Sequence, residues 1–294
     1  MPELPDVELY RERLEAMLLG APLVRLDVAN PFLLRSVSPS PDAFRNLTLR
    51  RVRRIGKRLA LGFEGDVWAV IHLMIAGRLR WRAEGGKAPA GRAQARFVFP
   101  SGILHFTEAG SKRRASLHLV HGESALAIFD RGGLEPLTAS PDTFAMRVRS
   151  ARHTLKRALT DPKIFSGIGN AYSDEILFRA RLSPLQLTTN LDDAELRRLH
   201  EATCAELTSW LVRLRTALGE GFPEEVTAFR PGMAVHGRFG EPCPECGAPV
   251  QRIRYAENET NYCARCQTGG RLLADRAMSR LLKEDWPRSI DDVE

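Results

Sequence analysis

The chain has 294 residues, 44% of them hydrophobic, with a net charge of +7 and a pI near 9.5. That length accommodates two domains with separate cores, the composition excludes a disordered chain, and the basic excess points to a polyanionic partner. No run approaches the roughly 20 apolar residues of a membrane span, and the charged first twenty residues hold no apolar stretch of signal-peptide length, so a cytoplasmic protein without membrane contact is expected.

The chain opens MPELPDVELYRERLEAML. Pro5 suits a first helical turn, and Asp6 and Glu8 suit the positive end of a helix dipole. Val7, Tyr10, Leu14, Met17 and Leu18 recur on one face, so an amphipathic helix is predicted. That helix leaves Pro2-Glu3 unexplained. Alternation then takes over, in Val24, Leu26 and Val28 and again in Leu59, Leu61 and Phe63, while DVWAVIHLMIAG reads as a buried strand. RFVFPSGILHF reads as a hairpin around residues 100–102, and SLHLVHGESALAIFD as another turning at residues 121–123. Many short strands with turn signals predict a β-sandwich beside the opening helix. RRVRRIGKR, SKRR and RVRSARHTLKR concentrate the positive charge. Each could neutralise phosphates, or form a solvated face.

Beyond residue 136 the period becomes helical. LEPLTASPD is a connector, and helices are predicted over 142–160, 171–181 and 192–218, the last capped by Asp192. FSGIGNAY between the first two reads as a tight turn that exposes backbone N–H groups at a helix start, or as a plain helix–turn–helix. The final residues, RLLADRAMSRLLKEDWPRSIDDVE, read as a short helix with a polar end. Cys243, Cys246, Cys263 and Cys266 form two C-x2-C pairs separated by sixteen residues. This is the spacing of a four-thiolate zinc site, and alternating Val250, Arg252 and Arg254 supply a ribbon hairpin. Disulfides are the other reading, disfavoured by the odd fifth cysteine, Cys204. Four protein ligands make the zinc structural rather than catalytic.

MPELPDVE, IGKR at 55–58, DPKIFSGIGNAYSDEILFRARLSP at 161–184 and GEPCPECG together resemble the formamidopyrimidine-DNA glycosylase and endonuclease VIII family. The likeness follows the family's order from residue 1 to about 267. It implies an α+β protein: an N-terminal β-sandwich with an opening helix over 1–135, a linker over 136–149, a helix–two-turns–helix domain over 150–235, a zinc finger over 236–270 and a tail over 271–294. It also implies a monomeric, nucleoid-associated base-excision repair enzyme acting on damaged DNA, with glycosylase and abasic-site lyase activity, one structural Zn2+ and no organic cofactor. In such an enzyme the initiator methionine is removed, Pro2 is the nucleophile, Glu3 the acid and proton shuttle, and Lys57 a phosphate-holding catalytic residue. An α-amine, with an ordinary pKa of about 7.7–8.0, is partly neutral near pH 7 and suits that role. His72, Arg113, Arg114, Lys156 and Asn170 match the family's DNA contacts.

Several positions depart from the family pattern. Asp6 replaces a glutamate, Ile75 stands where a void-filling methionine is expected beside Met74, and TEAGSKRRAS lengthens the intercalating loop and puts Ala115 in place of an aromatic. The 218–238 connection is short, and Asn258 replaces the finger arginine, with Arg252, Arg254 and Arg265 nearby in sequence. These changes predict a substrate range shifted away from 8-oxoguanine and mainly β-elimination products. The alternative is a lesion- or abasic-site-binding relative with weak or lost base excision.

Overall fold

The computed structural model describes all residues except 88, 90–92, 110–112, 227–229, 256–257, 275–279, 284–286 and 293–294, and except the side chains of Tyr255 and Asn258. Contacts divide the chain into two compact units, residues 1–131 with 210–227, and residues 132–209 with 228–294.

The first unit starts with helix α1 (Leu4–Leu18). Two antiparallel sheets follow. One has the order β1 (Pro22–Leu23), β3 (Leu47–Ile55), β4 (Arg58–Phe63), β5 (Val67–His72), β9 (Ser116–His121). The other has the order β2 (Arg25–Val28), β7 (Ala93–Phe99), β8 (Gly102–Glu108), β6 (Gly77–Ala83). Leu59, Leu61 and Ile71 from the first sheet and Phe97, Leu104 and Phe106 from the second share one core with Val7, Tyr10, Leu14 and Leu18 of α1. This is the expected sandwich, with α1 supplying the 3–4-spaced apolar face. Phe222 and Val226, much later in sequence, pack into the same core.

The hairpin expected at residues 121–123 does not form. After β9 the chain enters a 3-10 segment, Glu123–Phe129. Gly122 donates to the Asp66 carbonyl and Glu123 N–H to the Asp66 carboxylate, which turns the chain off the sheet. Leu126 and Phe129, three residues apart, then cover the outer face of β4 and β5 in a second small core with Ala60, Trp68 and Val70. This explains why β4 is buried on both faces. The arginines of β3 are largely engaged within the unit. Arg50 meets Glu64, Arg51 and Arg53 share Glu123, and Arg54 reaches Glu8.

In the second unit the predicted helix over 142–160 is two helices, α2 (Pro141–Arg149) and α3 (Leu155–Thr160). Thr188 separates them: its hydroxyl donates to the Ala151 carbonyl at 2.6 Å and accepts from His153 N–H at 3.2 Å. Thr154 then caps α3 through Arg157 N–H. Helices α4 (Asn170–Ala180) and α5 (Asp193–Leu218) lie where the period placed them. Asp192 and Glu195 form a reciprocal capping box at the start of α5. Strands β10 (Gln251–Tyr255) and β11 (Asn258–Tyr262) form the ribbon hairpin, followed by the short helix α6 (Ala264–Thr268). The segment of the predicted tail helix lies partly outside the described residues, at 275–279, 284–286 and 293–294. Among those described, no helix is long and apolar enough to cross a membrane.

Gly62 on β4 has no room for a side chain, since an added Cβ would lie 2.6 Å from the buried Trp68 ring. Gly62→Ala should therefore destabilise the protein by about 1–3 kcal/mol through overpacking. Urea unfolding checks this: the midpoint should fall, and an unchanged midpoint would contradict the packing described.

Candidate active site and metal centre

The buried start of α1 gathers charged groups. Glu3 caps the helix in an extended conformation, and its N–H donates to Asp6 Oδ2 at 2.8 Å. Pro2 is buried, and Glu3 and Asp6 are 3% and 2% exposed. The shorter carboxylate at position 6 thus serves the backbone of Glu3. Burial holds the α-amine of residue 1 below the ordinary range, Arg78 and Lys57 push it the same way, and Glu3 and Asp6 oppose them. The fold therefore brings Glu3, Asp6, Lys57 and Arg78 within electrostatic reach of one amine. Lys57 reaches it from the β3–β4 turn, where Gly56 adopts φ +59°.

Arg78, at the start of β6, was not anticipated from the sequence. Its Nη1 donates to the carbonyls of Ile75 at 3.0 Å and Gly77 at 2.7 Å, clasping the β5–β6 turn. In that turn Gly77 N–H bonds the Leu73 carbonyl, Met74 takes a left-handed φ of +53°, and Ile75 is 60% exposed. A methionine at positive φ is costly and uncommon, so this turn holds its shape against local preference. Arg113 and Arg114 are exposed, and Ala115 is buried. Glu108, at the end of β8, accepts the N–H groups of Arg114 and Ala115 at 2.8 and 2.9 Å and fixes the exit of their loop. Nothing local in the sequence marked Glu108 for this. His72 ends β5 half-buried. Burial foremost, then Arg58, Lys57 and His118, push its pKa down to about 4.

Lys156 and Asn170 lie in the second unit and are engaged there. Lys156 Nζ donates to Asp174 Oδ1 at 2.5 Å and to the Asn170 carbonyl at 2.7 Å. The other Asp174 oxygen meets His236 Nδ1 at 2.8 Å. Asn170 Nδ2 donates to the Glu259 carbonyl of β11, tying the start of α4 to the ribbon. Beside Asp174, Glu175 accepts three consecutive backbone N–H groups, from Ala234, Val235 and His236. Burial pushes the Glu175 carboxyl up, against those hydrogen bonds. Two adjacent acids on an otherwise buried helix were the available signal for this network.

The thiols of Cys243, Cys246, Cys263 and Cys266 lie within 4.8 Å of one another. The separations are 3.9 Å for Cys243–Cys266 and 3.4 Å for Cys246–Cys263. Thiolates about 2.3 Å from a tetrahedral zinc stand roughly 3.8 Å apart, so the four fit one structural zinc. Gln267 braces the second knuckle, accepting Cys263 N–H and donating to the Leu182 carbonyl. Cys204 lies elsewhere, on α5, with its thiol on the Pro136 carbonyl. In the ribbon, Arg252 and Arg254 each stand 3.6 Å from Glu259, Arg252 also covers the Phe239 ring, and Arg265 pairs with Asp291 at 2.7 Å. The side chain of Asn258 is outside the described residues.

Three family models match the chain: the formamidopyrimidine-DNA glycosylase N-terminal domain over residues 1–114, the formamidopyrimidine-DNA glycosylase H2TH domain over 133–215, and a zinc finger found in FPG and IleRS over 240–269. The formamidopyrimidine-DNA glycosylase of Thermus thermophilus is 34% identical, over 92% of this chain and 100% of that protein. That of Heliobacterium modesticaldum is 32% identical, over 91% and 100%. A crystal structure of a Lactococcus lactis FPG mutant with a Fapy-dG containing DNA superposes with a TM-score of 0.78 at 25% identity, covering 91% of this chain and 100% of that one. The Thermus thermophilus MutM (FPG) structure gives 0.74 at 32% identity, covering 90% and 98%.

Metal analysis should find one zinc per chain. Stripping it with a chelator, or Cys263→Ser, should abolish amide protection over 240–269 while the sandwich stays folded; full protection in metal-free protein would contradict a structural zinc. His72 gives a pH test. Its pKa lies below the ordinary 6.5, so the unfolded chain binds more protons than the native one between pH 6.5 and about 4. Stability must therefore fall as pH drops through that window and level off below it. His72→Asn should flatten that part of the urea-midpoint profile, and an unaltered profile would show that His72 does not carry the effect.

Proposed function

Because the chain belongs to the formamidopyrimidine-DNA glycosylase family, we propose that it excises damaged bases from DNA and cleaves the abasic site through a Schiff base on Pro2. The observation that carries this reading is the cluster of Glu3, Asp6, Lys57 and Arg78 around the first α-amine, which burial holds below its usual pKa. With Met1 removed, the Pro2 nitrogen becomes a secondary amine in that environment. Its lone pair attacks C1′ of the flipped nucleotide, forming the N–C1′ bond as the glycosidic bond breaks and the base departs with a proton. The Glu3 carboxyl donates a proton to the ring oxygen and opens the sugar to an iminium. That cation acidifies the C2′ proton, whose loss expels the 3′ phosphate. Lys57 holds a neighbouring phosphate.

The second elimination, at the 5′ side, needs a cation on the 5′ phosphate. Asn258 has no charge and no guanidinium fork, and Arg252, Arg254 and Arg265 each have a carboxylate partner. This supports β-elimination as the main outcome. An alanine at 115 and a lengthened arginine loop support weak handling of 8-oxoguanine paired with cytosine. Abasic sites, oxidised pyrimidines and ring-opened purines cost less to flip and are the favoured substrates in this reading.

A panel of defined lesion duplexes, read for base release, strand nicking and borohydride trapping, tests the proposal. Wild type should form a covalent adduct on abasic DNA and leave mainly β-elimination ends. Pro2→Gly should lose most of the adduct. An undiminished adduct in that variant moves the nucleophile elsewhere, early 3′-phosphate ends overturn the product assignment, and tight binding without release or nicking leaves a lesion-binding protein.

A further inference from the structure

The outer face of the first sheet holds a basic cluster unlike the one on β3. Arg58 and His72 are directly opposed across β4 and β5, and His118 on β9 opposes Val70, two residues along the same face. All three side chains therefore emerge on one side, beside Phe129. Arg58 Nη1 donates to the Phe129 carbonyl at 3.3 Å and its guanidinium lies 6.0 Å from the ring, while His118 meets the same ring edge-on at 4.9 Å. Arg58 Nε and His118 Nδ1 are buried atoms with no hydrogen-bond partner.

The contrast with β3 is informative. Arg50, Arg51, Arg53 and Arg54 each have a carboxylate. Among the described residues, neither Arg58 nor exposed Arg131 has one. Burial pushes Arg58, His72 and His118 down, and the further pushes are cationic: Arg131 acts on Arg58, Arg58 and Lys57 on His72, and Arg58 and Arg35 on His118. The depressed histidines are neutral near pH 7, so the cost falls on Arg58, a half-buried cation beside Arg131 and with no carboxylate partner among the described residues, and an anion at this face would offset it.

We propose that Arg58 and His118, with Arg131 at the rim, form a further phosphodiester subsite that continues the backbone track of Lys57 and His72 along the outer face of the sheet. A phosphate there would accept from the Arg58 guanidinium and from a His118 ring nitrogen, with Phe129 holding both groups in place. The inference rests on the DNA-binding reading above and extends it to His118 and Arg131, outside the motifs quoted for this chain, and to Arg58, the last residue of IGKR, for which that resemblance implied no contact.

The test is equilibrium binding of full-length protein to a duplex carrying a non-cleavable abasic analogue, measured across a salt series. Arg58→Gln should lower the slope of log K against log salt by about 0.9, the value for one lost phosphate contact. His118→Gln should weaken binding in the same direction, and Arg51→Ala, whose guanidinium is held by Glu123, should leave the slope unchanged. A methylphosphonate scan on wild-type protein provides a check independent of any variant's folding. One internal neutralised phosphate should cost wild type affinity and cost Arg58→Gln none. Identical scans and slopes for wild type and Arg58→Gln would overturn the subsite alone, as would sensitivity confined to a terminal phosphate. Wild type that shows no salt-dependent binding to lesion DNA would instead overturn the functional reading, and the subsite with it.

Discussion

Burial of the first turn of α1 is the constraint on which the amine-centred cluster depends. Leu4, Val7 and Tyr10 are fully buried, and the Tyr10 hydroxyl donates to the Leu79 carbonyl of β6. Glu8 is held by Arg11 and by Arg54 of β3, which keep its carboxyl below the usual range despite burial. The helix is thus fixed to both sheets at its N-terminal end, where one residue's displacement would swing Pro2 and Glu3 away from Lys57. Fixing the amine on a rigid element in this way is what the orientation-dependent chemistry proposed for it would require.

The second unit solves a comparable problem with carboxylates. Asp174 and Glu175 are neighbours in sequence but bond different segments. Asp174 joins α3 through Lys156 and the approach to the ribbon through His236. Glu175 collects the amides of residues 234–236. Buried acids are tolerated only when their lone pairs are satisfied, and here that requirement locks α3, α4 and the chain entering the zinc ribbon into one arrangement.

Much of this was legible in the residues. The 3–4 spacing of α1, the alternation of β2 and β4 and the paired C-x2-C motifs each express a local rule with one solution. Two expectations fail for the same reason. A continuous helix over 142–160 was a sound reading of periodicity, and Thr188, nearly forty residues away, undoes it. The hairpin after β9 was a sound reading of a glycine, and Asp66 redirects the chain. Arg78 and Glu108 brace turns through short-range bonds to backbone groups, and neither residue type nor period singles them out. Asp6, expected at the positive end of the opening helix, lies there and accepts Glu3 N–H. The Thr188 and Asp66 bonds join residues far apart in sequence and leave no periodic trace.

The pairing of the β3 arginines bears on how such a protein would travel along intact DNA. Each cation free to displace a counter-ion lengthens the stay on any duplex, damaged or not. A strand of four unpartnered arginines would hold the protein wherever it landed. Glu8, Glu64 and Glu123 instead keep that stretch close to neutral, so attraction to undamaged backbone is weaker than the formal charge implies. On the proposed DNA-binding reading, departure from an undamaged site would then be faster, and more positions could be inspected in a given time.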